Sequence, residues 1–261
     1  MDSTPSQSLR PSTFLAQMSP ETFPLLFQGL EKVIFFIKDR SGRFVMIRRG
    51  AGMQGPLGPD AGVTSTDYDW YPRCIADRMR ADDLRVMESG QPRLNVVEFL
   101  VNPARCAIGW HVTQKFPVRN RRGRIIGVMG TVQPCDGRFQ TMFADTRAGA
   151  ILDRVLRAPT TIRSVAELAR AAGLSTKQLG RHFHRVAGMA PREFLMLCRI
   201  KHACEQLLVP AKTVASVAQE SGFCDQSAFA YQFRRAVGIA PTEYRRRAVA
   251  AMRAAGRLQG S

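Results

Sequence analysis

The stretch from Ser164 to Tyr244 contains the same pattern twice, and an internal duplication of this kind leaves few folds open. VAELARAAGLSTKQLGRHFHRVAGMAPREF begins at Val165, and VASVAQESGFCDQSAFAYQFRRAVGIAPTEY begins at Val214. Val165, Ala166, Ala169 and Gly173 recur as Val214, Ala215, Ala218 and Gly222; Leu179, Phe183, Gly188, Pro191 and Phe194 recur as Phe229, Phe233, Gly238, Pro241 and Tyr244. The register advances by one residue between the two sets, between Gly222 and Asp225, where a turn best absorbs an insertion.

Each copy reads as two helices. A short one with small apolar residues (Val165, Leu168, Ala169, Ala172; then Val214, Val217, Ala218, Ser221) runs into a glycine suited to a left-handed cap. Ser175 and Asp225 are N-cap candidates for a second helix. That helix carries Leu179, Phe183 and Val186 on one stripe in the first copy, and Phe229, Phe233 and Val237 in the second.

The opposite face bears on function. It presents Thr176, Lys177, Gly180, Arg181 and His184, then Gln226, Ser227, Ala230, Tyr231 and Arg234, with no carboxylate after the caps. A helix that enters a major groove lined by acceptors and flanked by phosphates needs such donors and small residues. For a single copy, a helical hairpin with a solvated basic face explains the pattern equally well; two copies in register disfavour it. Between them, residues 192–208 read as one helix behind a proline at its first position, Pro191. About 17 helical residues span roughly 25 Å, enough to hold two recognition helices near one DNA turn, about 34 Å, apart.

These residues, with LCRIKHACEQLL between the copies, resemble the DNA-binding domain of the AraC/XylS family of bacterial transcription regulators over about residues 146–247. The resemblance implies seven helices with two helix-turn-helix units, and promoter binding that usually activates transcription, with double-stranded DNA and RNA polymerase as partners. Carried over by position, the base-reading residues are Lys177, Gly180, Arg181, Gln226, Ser227, Ala230 and Tyr231. Thr176, His184 and Arg234 are the expected phosphate contacts.

The charge fits a polyanion partner. Of the net charge of +17 over 261 residues, +11 falls on residues 141–261 (19 basic, 8 acidic) and +6 on residues 1–140 (19 basic, 13 acidic). Six cysteines are scattered without a CxxC pair, so neither a zinc knuckle nor a disulfide framework is indicated. Cys198 and His202 lie four apart on the linker helix without a second ligand pair, and no metal is expected. No apolar run approaches bilayer-spanning length, and the first 20 residues lack the apolar core of a signal peptide, so a cytoplasmic protein with no membrane partner is expected.

The first half has a β pattern. VIFFIKD and RFVMIRR flank Ser41-Gly42 as a hairpin, and WHVTQKFPV and IIGVMGTV flank a turn at residues 120–123. Between the hairpins lie a Gly- and Pro-containing region at residues 50–62 and short helical pieces at about 75–89. FFIKDRSGRFVMI, TDYDWYPRCIADRMRADD, ESGQP and GWHVTQKFPVRNRRGRIIGVMGTV together are similar to PAS sensor domains. The resemblance implies a five-stranded antiparallel sheet that binds a small molecule or pairs with a second PAS domain. Strand alternation places Phe35, Ile37, Met46, Trp70 and Val112 among the inward residues of a pocket suited to a small uncharged molecule. Asp67, Asp69, Asp77, Asp82, Asp83 and His111 form no catalytic order or phosphate loop, so no catalytic residue and no cofactor, flavin and haem included, is expected.

The expected fold is an α+β PAS-like domain, an antiparallel sheet with short helices, followed by an all-α double helix-turn-helix domain. Its boundaries are a flexible arm at residues 1–24, the PAS-like sensing or pairing domain at 25–135, a linker at 136–145, the DNA-binding domain at 146–247 and a basic Ala-rich tail at 248–261. The expected function is sequence-specific DNA binding that activates promoters, with a small-molecule effector or a homodimer formed through the PAS domain. A nonspecific architectural DNA-binding protein, or an enzyme domain in the N-terminal half addressed to DNA, is the competing reading.

Overall fold

The computed structural model describes residues 30, 32–49, 64–102, 107–135, 152 and 155–258. The expected arm at 1–24, the region at 50–62, Cys106 and the linker at 136–145 lie outside the described residues.

Five antiparallel strands form one sheet in the order β2-β1-β5-β4-β3: β1 (Ile34–Asp39), β2 (Phe44–Arg49), β3 (Arg93–Asn102), β4 (Ala107–Arg119) and β5 (Ile125–Pro134). The β1–β2 turn closes on Asp39, whose carboxylate accepts from the Ser41 and Arg43 amides at 2.9 Å each. The helical pieces expected at 75–89 are one helix, α1 (Arg73–Ser89), packed on one face of the sheet. The β pattern of the sequence does not mark strand β3, and burial explains why. Val96, Val97, Phe99, Leu100 and Val101 are all buried, so both faces of the strand are covered and no alternation of apolar and polar residues marks it.

The face beneath α1 is not an apolar pocket. It carries Phe36 and Lys38 from β1 and Thr113 and Lys115 from β4, with both lysines buried. Lys38 donates to Asp67 at 2.5 Å and to Asp83 at 3.0 Å; Lys115 donates to Asp83 at 2.6 Å and to the Met79 carbonyl at 3.1 Å. Asp83 on α1 is fully buried and Asp67 sits in a short 3-10 turn (Asp67–Asp69) beside it. Buried charge is tolerated when each ion is paired and hydrogen-bonded, as here.

The helical half comprises α2 (Val165–Ala171), α3 (Thr176–Ala187), α4 (Pro191–Leu207), α5 (Val214–Glu220), α6 (Gln226–Val237) and α7 (Pro241–Leu258). Helix α7 runs unbroken across position 248, where a separate tail is expected. The two halves pack together: β3 touches both α3 and α6, and β4 touches α4. Trp110 and Phe99 lie on the sheet face opposite α1, and Trp110 stacks on Phe194 of α4.

Candidate nucleic-acid interface

The two helix-turn-helix units are built by the same local chemistry. Ser164 and Thr213 cap the first helices by accepting from the amides of Glu167 and Ser216. Both turns then need a residue in the left-handed region, supplied by Gly173 (φ 68°) and Gly222 (φ 80°). The hydrogen bonds after them repeat as well: Leu174 donates to the Ala169 carbonyl at 2.9 Å, and Phe223 donates to the Ala218 carbonyl at 3.1 Å. Ser175 caps α3 in a reciprocal box with Gln178, and Asp225 caps α6 by accepting from the Ala228 amide at 2.7 Å. Thr213 is a cap beyond those expected, and the signal for it is a Thr followed by a Val-Ala run.

One stripe of each second helix is core. Leu179, Phe183, Phe229 and Phe233 are fully buried; Phe183 meets Phe194 edge to face, and Phe233 meets both Phe229 and Tyr244 in the same way. Burial of that stripe turns the other outward: Thr176, Lys177, Arg181 and His184 are exposed on α3, and Gln226, Ser227, Tyr231 and Arg234 on α6. Gly180 and Ala230 lie partly covered in the same rows. Tyr231 is 65% exposed, an unusual position for so large an aromatic side chain.

Pairing separates these cations from others on the surface. Lys201, Lys212 and Arg246 are held by Glu205, Glu220 and Glu243. Among the described residues, no carboxylate pairs with Lys177, Arg181 or Arg234. Exposed, carboxylate-free cations on two equivalent helix faces suit a ligand that brings its own negative charge.

The basic run at 245–247 is engaged within the chain. Arg245 donates to the carbonyls of Leu207 (2.8 Å) and Lys212 (2.7 Å), tying α7 to the end of α4. Arg246 and Arg247 converge on Glu243, and their hydrogen bonds pull its carboxyl down to about 2.

In the sheet half, the expected pocket residues do not share one surface. Phe35, Ile37, Met46 and Val112 lie on the face opposite α1, whereas Trp70 follows the 3-10 turn on the α1 side and donates to the Ser65 hydroxyl at 2.8 Å. Beneath α1 the ion cluster sets the electrostatics. Burial pushes the Asp67 carboxyl up despite Lys38, while at Asp83 the ammonium groups of Lys115 and Lys38 outweigh burial and hold the carboxyl below the usual range. Burial pushes the Cys198 thiol up, away from the thiolate a metal would need. No group of three or more potential metal ligands occurs among the described residues, and none of their helices is long and apolar enough to cross a membrane.

Two helix-turn-helix units on one linker helix, with an antiparallel sheet domain packed against them, define a two-module helix-turn-helix protein. The comparisons name both modules. The helix-turn-helix domain family matches residues 168–247, and the PAS fold family matches residues 30–136. An AraC-like transcription regulator of Streptomyces lividans is 34% identical over 103 residues, covering 40% of this chain and 34% of that protein. The RCS-specific HTH-type transcriptional activator RclR of Escherichia coli is 30% identical over 101 residues, covering 39% and 36%. Among solved structures, the DNA-binding domain of AdpA in complex with a target DNA is 28% identical, with 38% of this chain and 88% of that chain covered at a TM-score of 0.36. The matched part spans about a third of the length of these curated relatives. The chain therefore carries an AraC-type helix-turn-helix domain together with a PAS-fold domain.

Proposed function

We propose that the protein is a sequence-specific DNA-binding transcription regulator that activates promoters, and that its PAS domain modulates the DNA-binding half. The observation that carries this reading is the pair of equivalent, carboxylate-free donor faces on α3 and α6, held on the one linker helix α4. Helix α4 has 17 residues, about 25 Å at 1.5 Å per residue, which suits two successive major grooves on one side of a duplex. Lys177, Gly180, Arg181, Gln226, Ser227, Ala230 and Tyr231 are the assigned base-facing positions, and Thr176, His184 and Arg234 the assigned phosphate contacts. The names of the curated relatives, regulators and activators of transcription, support the same assignment. Activation brings in RNA polymerase as a partner and the cytoplasm as the place of action.

The proposed role of the PAS domain rests on its contacts. It touches α3 and α6 through β3 and α4 through β4, so a change in its occupancy or pairing reaches both recognition helices from behind. The test is a salt series on genomic and random duplexes. A specific regulator retains preference for one sequence as salt rises, whereas a nonspecific architectural binder loses affinity for all sequences together. Absence of any preferred sequence in a genome-wide binding map overturns the proposal.

A further inference from the structure

Between the two halves lies a cleft of about 930 Å³. One wall is α1 with Cys74 and Arg78; the others are the start of α2, the first turns of α4 and the flank of α6. Five arginines line it, Arg78, Arg163, Arg192, Arg199 and Arg235, against the single lining carboxylate Glu193. Glu193 is already taken by Arg78 at 2.7 Å. Arg199 donates to the Arg163 carbonyl at 2.9 Å, a neutral partner that leaves its charge uncompensated. The rest of the lining is largely apolar, with Val165, Met196 and Ala236.

The contrast with the sheet interior is informative. There, Lys38 and Lys115 are each matched by aspartates of the same chain. In the cleft, only Arg78 has a carboxylate partner among the described residues. Like charges gathered in a concavity repel one another and raise the local concentration of anions. A guanidinium fork matches a carboxylate in two parallel hydrogen bonds, and the apolar lining calls for an apolar body behind that carboxylate.

We propose that this cleft binds an organic carboxylate with an apolar, ring-sized body. Such a ligand bridges α1 of the PAS domain to α4 and α6 of the helix-turn-helix domain and competes with Glu193 for Arg78. Binding itself stands on the cleft alone. Only its consequence, an effector held at the junction and not inside the sheet, rests on the regulator reading above.

The experiment titrates the full-length protein with naphthoate, and with neutral naphthol as the control, by calorimetry in the presence and absence of saturating duplex DNA. Naphthoate is expected to bind at least about tenfold more tightly than naphthol, as fits a charge-assisted contact. The exposed double substitution Arg192→Ala with Arg235→Ala should weaken it by about tenfold or more, with circular dichroism checking that the fold is kept. Arg181→Ala, on the recognition face, should leave it unchanged. Equal binding of naphthol, no binding of naphthoate, equal loss in Arg181→Ala, or displacement by the duplex each overturns the proposal, the last by assigning these guanidiniums to DNA. DNA binding measured on the same preparations is a separate readout, so failure of the carboxylate site and failure of the regulator assignment are told apart.

Discussion

Trp110 of β4 stacks on Phe194 of α4 with ring centroids 4.8 Å apart and planes inclined by 39°. The contact continues in both directions, to Phe99 on β3 at 4.9 Å and to Phe183 on α3 at 5.2 Å. Four rings thus connect the sheet to the buried stripe of the first recognition helix, whose other stripe carries Lys177 and Arg181. Aromatic contacts of this kind contribute beyond their buried area, so the PAS domain and the first helix-turn-helix unit share part of one core.

Replacement of Trp110 tests that sharing. Trp110→Ala is expected to cost about 3 to 5 kcal/mol, as for other large-to-small core changes, and to loosen both halves together. Urea unfolding followed separately by signals from the sheet and from the helices reads the effect. The intact chain should unfold in one transition and the variant in two. A variant that keeps a single coincident transition would show that the domains are coupled by other contacts, such as the Arg78–Glu193 pair.

The recognition faces carry a second prediction. Arg181→Ala should weaken binding to the preferred site by about 1 to 3 kcal/mol and relax the preference at one or two base pairs. Arg234→Ala should lower affinity similarly on all sequences and reduce the salt slope by about one unit. Binding to randomised duplexes, sequenced after selection, distinguishes the two. An unchanged preference in Arg181→Ala removes that residue from base reading.

The ion cluster predicts a pH dependence. Asp83 is fully buried between Lys38 and Lys115, and its folded carboxyl is held below its unfolded value. The sign follows from linkage: its stabilisation is complete above the unfolded value, about 3.9, and is lost as pH falls through the lower folded value. Asp67, raised by burial, acts in the opposite sense and favours the folded state as pH falls through its own folded value. Asp83→Asn should therefore cost about 3 to 5 kcal/mol near neutral pH, and that difference should shrink in acid. A difference independent of pH down to about 3 would contradict a charged Asp83.

What the sequence disclosed and what it concealed divide along physical lines. The helix-turn-helix units were legible because their signals are local: glycines at left-handed turns, Ser175 and Asp225 as caps, and an apolar stripe against a donor face. The sheet was harder, because Phe35 and Phe36 are each 4% exposed on opposite faces of β1. With both faces covered, alternation cannot say which side meets α1, and nothing in the pattern marks Lys38 and Lys115 as the buried lysines they are. Contacts between the halves, such as Trp110 on Phe194, join positions far apart in the chain and leave no periodic trace.

Gly180 offers a test in which packing, helix propensity and DNA reading make separable claims. It lies in the middle of α3, in the row proposed above to face the bases, where the second unit has Ala230. A Cβ added there meets nothing within 4 Å, and the residue is not among the glycines with positive φ. The backbone therefore does not require glycine, and the helix gives up stability by having it. Gly180→Ala should raise stability by about 0.5 to 1 kcal/mol, the difference in helix propensity. If the position only leaves a base unread, Gly180→Ala should keep the DNA preference, and Gly180→Arg should add a preference for guanine at one position worth about 1 to 3 kcal/mol. If the helix backbone approaches the bases closely at this point, both substitutions should weaken specific binding while still stabilising the free protein. Thermal unfolding without DNA, set beside affinity for the selected site, reads the two effects independently, and a loss of stability in Gly180→Ala would contradict the open space around Gly180.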